Sequence, residues 1–111
     1  MTNIKIYCDE NGNIMKFECK NHSGFAEYGK DIVCAGISSI TQTAVLGIKN
    51  IVKIKHKCVI DEKLGFLSFE LLENENSSLF HDAQVVLNTM LCGLSDLEKN
   101  YSKFLKMEVI K

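Results

Sequence analysis

The stretch DIVCAGISSITQTAVLGIKNIVK, residues 31–53, decides how this chain folds. Asp31 is a favoured N-cap, because its carboxylate can accept hydrogen bonds from the unpaired amides of a first helical turn. Behind it, Ile32, Val33, Ala35, Ile37, Ile40, Ala44, Val45, Ile48 and Val52 cover most of a helical circumference. The spacing therefore predicts one long helix running to about Lys53. A helix with so little polar surface needs cover on more than one side. A sheet can supply one cover, and a second copy of the chain is the natural candidate for another. The uncharged run from Ile32 to Ile48 is 17 residues long and includes Ser38, Ser39, Thr41, Gln42 and Thr43. It falls short of the ~20 apolar residues that span a bilayer, so the expectation is a helix buried in protein, with no membrane partner.

Before this helix lies an alternating segment, with Ile4, Ile6 and Cys8 on one side and Lys5, Tyr7 and Asp9 on the other. Asn11-Gly12 is a strong turn signal, and beyond it Met15, Phe17 and Cys19 alternate with Lys16, Glu18 and Lys20, which reads as a β-hairpin. After the helix, Lys55–Ile60 and Phe66–Leu71 form a second hairpin turning near Gly65. A polar loop, Glu73–Ser78, caps a second helix whose Leu79, Ala83, Val86, Leu87, Met90, Leu91, Leu94, Leu97 and Tyr101 make one apolar stripe. Phe104–Ile110 returns to strand-like alternation. The order is ββαββαβ in a single domain, residues 1–111. The predicted fold is a two-layer α+β sandwich, a largely antiparallel sheet with two long helices on one face.

Composition narrows the function. With 13 basic against 14 acidic residues the net charge is −1, which argues against direct nucleic-acid binding, since that rests on excess Lys and Arg facing phosphates. The local cluster Lys49, Lys53, Lys55, His56, Lys57 reads as a solvated helix end running into a strand. No basic segment followed by an apolar stretch opens the chain, so no signal peptide is expected. The cysteines are five, Cys8, Cys19, Cys34, Cys58 and Cys92. An odd number without a C-x-x-C pair fits neither a disulfide framework nor a zinc site. If Asp9 faces Ile14 in the first hairpin, Cys8 faces Met15 and Cys19 faces Ile4. The two sulfurs then lie ~13 Å apart along the strands, beyond disulfide reach. Reduced thiols in a cytoplasmic protein, with no metal or other cofactor, are the simpler expectation.

One of these thiols stands out. With Asp31 as the cap, Cys34 occupies the third helical position, where the helix dipole and first-turn amides favour a thiolate. His22 ends the preceding strand, one glycine-bearing loop away, so an imidazole can fold onto the helix start, as nucleophile–base catalysis requires. Against this stand the ordinary roles: a cysteine on an apolar helix is often a small buried hydrophobe, and a histidine at a strand end is often plain surface. The loop Ser23–Lys30, with Gly24 and Gly29, is expected to be exposed and mobile, closing over a substrate.

The segment Gly29-Lys30-Asp31-Ile32-Val33-Cys34-Ala35-Gly36-Ile37-Ser38, preceded by Asn21-His22-Ser23, resembles the ribosomal-processing cysteine protease (Prp) family. That family carries a Gly-His-Ala-like triplet followed, after a short glycine-bearing loop, by an Asp-Ile-Val-Cys-Ala element. The likeness extends over the chain in length and element order, and to Leu87-Asn88-Thr89-Met90-Leu91. It implies a catalytic dyad of His22 and Cys34. It also implies a homodimer, and as substrate the precursor of a large-subunit ribosomal protein whose short N-terminal extension is removed. The triplet departs from the family at Asn21, the non-glycine residue type most tolerant of positive φ, and at Ser23, which adds a hydroxyl. In the implied mechanism Cys34 attacks the scissile carbonyl, and helix-start amides, Cys34's own among them, bind the oxyanion. Asp31 is the nearest candidate to orient His22, with capping as its competing role. Ser38, one turn beyond Cys34, either lines the cleft or bonds its own helix. Two rival functions keep the same residues: a thiol redox protein resolving through Cys58 or Cys92, and a non-catalytic ribosome-associated binding module.

Overall fold

The computed structural model describes residues 1–27 and 30–111. Strands β1 (Thr2–Cys8) and β2 (Ile14–Lys20) precede helix α1 (Ile32–Gly47), which runs on as a π-helical segment, Ile48–Val52. Strands β3 (His56–Asp61) and β4 (Phe66–Leu71), helix α2 (Ser77–Asn100) and strand β5 (Leu105–Ile110) complete the expected ββαββαβ order. The five strands form one sheet in the order β3-β4-β2-β1-β5. Neighbours are antiparallel except β1 and β5, which run parallel.

Alternation in the strands puts apolar side chains on the face the helices cover. Ile4, Ile6, Phe17, Cys19, Leu67, Phe69, Leu71 and Leu105 are all buried, while Lys5, Lys16, Glu18 and Glu70 occupy the intervening positions. Phe17 and Phe69 face each other across β2 and β4 with ring centroids 5.2 Å apart. Each fully buried ring contributes about 2–3 kcal/mol by area, so truncating either is the single change most damaging to this layer.

The two helices run antiparallel and close together, because glycines sit where they meet. A Cβ on Gly36 would lie 3.4 Å from Leu97, one on Gly93 3.4 Å from Ile40, and one on Gly47 3.6 Å from Val86. The helix from Asp31 ends at Lys53, as expected. Lys53 takes a left-handed conformation (φ +62°) and its amide donates to Ile48 O at 2.7 Å. By length and composition alone, Ile32–Val52 is also apolar enough to cross a membrane. In the fold its Val33, Ile37, Ala44, Val45, Ile48 and Val52 are buried in the core.

The first hairpin differs in one detail. Ile4 faces Cys19 as expected, but Cys8 faces Ile14 and not Met15. A register shift between Tyr7 and Cys8 absorbs the difference. Asp9 lies in the turn instead of the ladder, accepting the amides of Asn11 and Asn13 at 2.9 Å each, and Met15 is passed over in the pairing. Cys8 and Cys19 remain apart, and all five thiols are free.

Candidate active site

Strand β2 delivers the chain to Asn21, which adopts φ +72°, a conformation asparagine tolerates better than other non-glycine residues. The Thr2 hydroxyl donates to Asn21 O at 2.9 Å and fastens this corner to the sheet. His22 follows, then Ser23, which is buried, and Gly24 at φ +77°.

Asp31 organises what comes next. Its Oδ1 accepts the amides of Val33 (3.0 Å) and Cys34 (2.9 Å), which is the helix cap. Its Oδ2 accepts the Ser23 hydroxyl (2.5 Å) and the amides of Phe25 (3.0 Å) and Ala26 (3.3 Å). Burial alone would raise this carboxyl above its ordinary value of 3.8. Hydrogen bonds from Ser23, Cys34 and Ala26 outweigh that and hold it down at about 2. Asp31 is thus cap and loop anchor together.

Cys34 lies in the first turn of α1, half-buried. The Ser23 amide points at its sulfur, 3.1 Å from Sγ. Sγ is 4.0 Å from Nδ1 of His22. The other ring nitrogen, Nε2, is 3.1 Å from the carbonyl oxygen of Lys63 in the β3–β4 turn. A carbonyl can only accept, so this contact requires hydrogen on Nε2 and, in the neutral ring, leaves a lone pair on Nδ1 facing the sulfur. The pair opens into a cleft of about 520 Å³ between α1 and the β3–β4 hairpin, with Ile37, Ser38 and Gln42 on one wall and Ile60, Glu62 and Phe66 on the other. Such walls suit an extended peptide with apolar side chains.

His22 and Cys34 are therefore brought together, and Ser38 lines the cleft beside them. Two expectations need correction. The Cys34 amide is engaged by Asp31, so it is not a free oxyanion donor as the fold stands. The loop is not loose over its first half. Ser23 is buried, Phe25 and Ala26 are bonded to Asp31, and the Phe25 ring packs edge-on against Phe104 (5.2 Å) and Tyr101 (5.9 Å). Gly29 lies outside the described residues. Sequence reasoning also missed Lys63 and the contact of the Ser23 amide with Cys34, which act through backbone groups that no side-chain pattern announces. The other thiols are differently placed: burial pushes Cys19 up to about 12 and raises Cys58 as well.

Comparison with known proteins gives the family. The family model described as "Cysteine protease Prp" matches residues 1–106. The ribosomal processing cysteine protease Prp of Bacillus subtilis is 30% identical over 94 residues, 85% of this chain and 84% of that one. Its namesake from Staphylococcus aureus strain Mu50 is 26% identical over 107 residues, covering 96% and 97%. A crystal structure of the S. aureus Prp with a covalently linked product peptide superposes with a TM-score of 0.88 at 26% identity, covering 98% of this chain and 99% of that one. A cleft with a cysteine at a capped helix start, in a chain matched along nearly its whole length, leaves one assignment: this protein belongs to the Prp family of cysteine proteases.

Proposed function

We propose that this protein is an endopeptidase using Cys34 as nucleophile and His22 as general base to remove the N-terminal extension of a large-subunit ribosomal protein. The observation that carries the chemistry is the 4.0 Å approach of Cys34 Sγ to His22 Nδ1 at the mouth of the cleft, with the Ser23 amide on the sulfur. His22 takes the thiol proton onto Nδ1 and the thiolate attacks the scissile carbonyl carbon. The tetrahedral intermediate collapses to a thioester as His22 returns the proton to the leaving amine. Water, deprotonated by the same nitrogen, then releases the acid and regenerates the thiol. Separations near 4 Å in a protein without substrate shorten when the peptide is bound. The substrate reading is supported by the relatives, whose names carry ribosomal processing, and by the apolar cleft.

The protein would act in the cytoplasm, where its thiols stay reduced, and as a homodimer. Ile32, Leu46, Ile51 and Val85 are exposed on the helical layer, and a two-fold pairing is the usual way to cover such residues. Incubating the protein with the ribosomal-protein precursor from its own organism and weighing the products tests the central claim. A shortened product that Cys34→Ala fails to generate is expected. An unchanged precursor with the wild-type enzyme would sink the substrate assignment. Sedimentation at the 12.5 kDa of one chain at tens of micromolar, roughly where obligate dimers persist, would sink the dimer.

A further inference from the structure

We infer that the β3–β4 turn is the positioning element of the reaction: the backbone carbonyl of Lys63 holds the His22 ring in the tautomer and orientation that face Nδ1 to Cys34. The inference rests on His22 being the base, as proposed above. In a cysteine–histidine pair the base needs a third group on its far nitrogen, because an imidazole that rotates or carries its hydrogen on the wrong side cannot accept the thiol proton. That far nitrogen is Nε2, 3.1 Å from Lys63 O. Asp31, the acid nearest in sequence, serves the helix cap and the loop.

The turn is built to hold that carbonyl still. Asp61 Oδ1 accepts the Leu64 amide at 3.2 Å and Glu62 O accepts the Gly65 amide at 3.2 Å, so the peptide between Lys63 and Leu64 is held from its amide side. Gly65 has φ +61°, and a Cβ there would stand 2.9 Å from the Asn21 carbonyl carbon and 3.0 Å from the His22 amide nitrogen. No side chain fits between the turn and the backbone that carries His22. The turn thus touches the base twice, through the bare face of Gly65 below and the Lys63 carbonyl at the ring. Glu62, Gly65 and Phe66 also line the cleft, so a peptide seated there presses on the same turn that aims the base.

Two-bond 15N–1H correlation on 15N-histidine-labelled protein reads the tautomer directly, with only three histidines to separate and a His22→Gln variant to assign the signal. Neutral His22 should carry its hydrogen on Nε2. Gly65→Ala should mix the tautomers and lower kcat on the order of 100-fold, the scale of a ~1 Å misplacement of a reacting group, with KM moving less. Asp61→Ala, which frees the Leu64 amide without adding bulk, should move both readouts the same way and less far. If Gly65→Ala does not fold, Asp61→Ala alone decides. Hydrogen on Nδ1 in the wild type, or the parental tautomer and kcat in the folded variants, overturns the positioning role. Cleavage that survives His22→Ala would instead remove His22 as the base, an outcome separable because the tautomer is measured without substrate.

Discussion

Asp31→Asn separates the two tasks of one carboxylate. Asparagine is as good an N-cap as aspartate, and its carbonyl oxygen can replace Oδ1 toward the Val33 and Cys34 amides. Its NH2 cannot replace Oδ2, which accepts from Ser23 Oγ, Phe25 N and Ala26 N. The Ser23 hydroxyl can rotate to accept instead, but the Ala26 amide loses its partner and the Phe25 amide keeps only Ser23 Oγ, at 3.2 Å. Hydrogen bonds to a charged group contribute about 1.5–3 kcal/mol each when buried. Phe25 and Ala26 are exposed residues, so water recovers part of that, and a loss of about 2–3 kcal/mol overall is expected by the same scale. For a chain of 111 residues this lowers Tm by roughly 8–12 °C. Asp31→Ala should cost about 1 kcal/mol more, the value of the cap. Calorimetry on the three proteins gives the energies, and hydrogen exchange at Phe25 and Ala26 shows where they act. Asp31→Asn within about 0.5 kcal/mol of the parent, with exchange at those amides unchanged, would refute the loop-anchoring role.

Asp31 also predicts an acid limb. Its carboxyl titrates at about 2 in the fold against an ordinary 3.8, so its contribution is fully present above about pH 4 and is lost as pH falls from 3.8 through about 2; urea midpoints should drop across that window, and less so in Asp31→Asn. Cys34→Ala should abolish cleavage and leave the melting temperature nearly unchanged, because alanine suits a first-turn helix position. Iodoacetamide should modify Cys34 before the other cysteines and Cys19 last, since burial pushes Cys19 to about 12; comparable labelling of all five would count against an activated thiol. Gly93→Leu should cost about 1–3 kcal/mol by overpacking, because even a Cβ there would stand 3.4 Å from Ile40, and a melt as high as the parent's would contradict the close helix contact.

Much of this molecule was legible in its residues. Asp31, the apolar circumference behind it and the alternation of Ile4, Ile6, Phe17 and Cys19 are side-chain signals, and they gave the layers, the helix start and the approach of His22 to Cys34. What stayed hidden was carried by backbone. The shift between Tyr7 and Cys8 arises from a turn geometry in which Asp9 accepts two amides. The Lys63 carbonyl exists at every residue and has no composition to betray it. The parallel pairing of β1 with β5 joins segments about a hundred residues apart, and no local pattern names a partner at that distance. Ser23 was noticed only as an added hydroxyl, because its bonds to Asp31, Cys34 and Phe25 depend on the whole loop being in place.

That parallel pairing bears on the order in which the molecule matures. His22 and Cys34 sit in the first third of the chain, yet the corner that holds His22 rests on Tyr101, Phe104 and β5, which are synthesised long after them. Thr2, which fastens Asn21, takes its own backbone partner from Phe104 O at 2.9 Å, and Phe25 needs the rings of Tyr101 and Phe104. Strand pairing across so long a separation forms late in folding, since the intervening chain must first be ordered. A growing chain therefore carries its thiol and imidazole well before it can align them. Proteolytic competence should appear abruptly when β5 docks, and chains stopped short of Tyr101 should remain silent toward peptides, their neighbours' included.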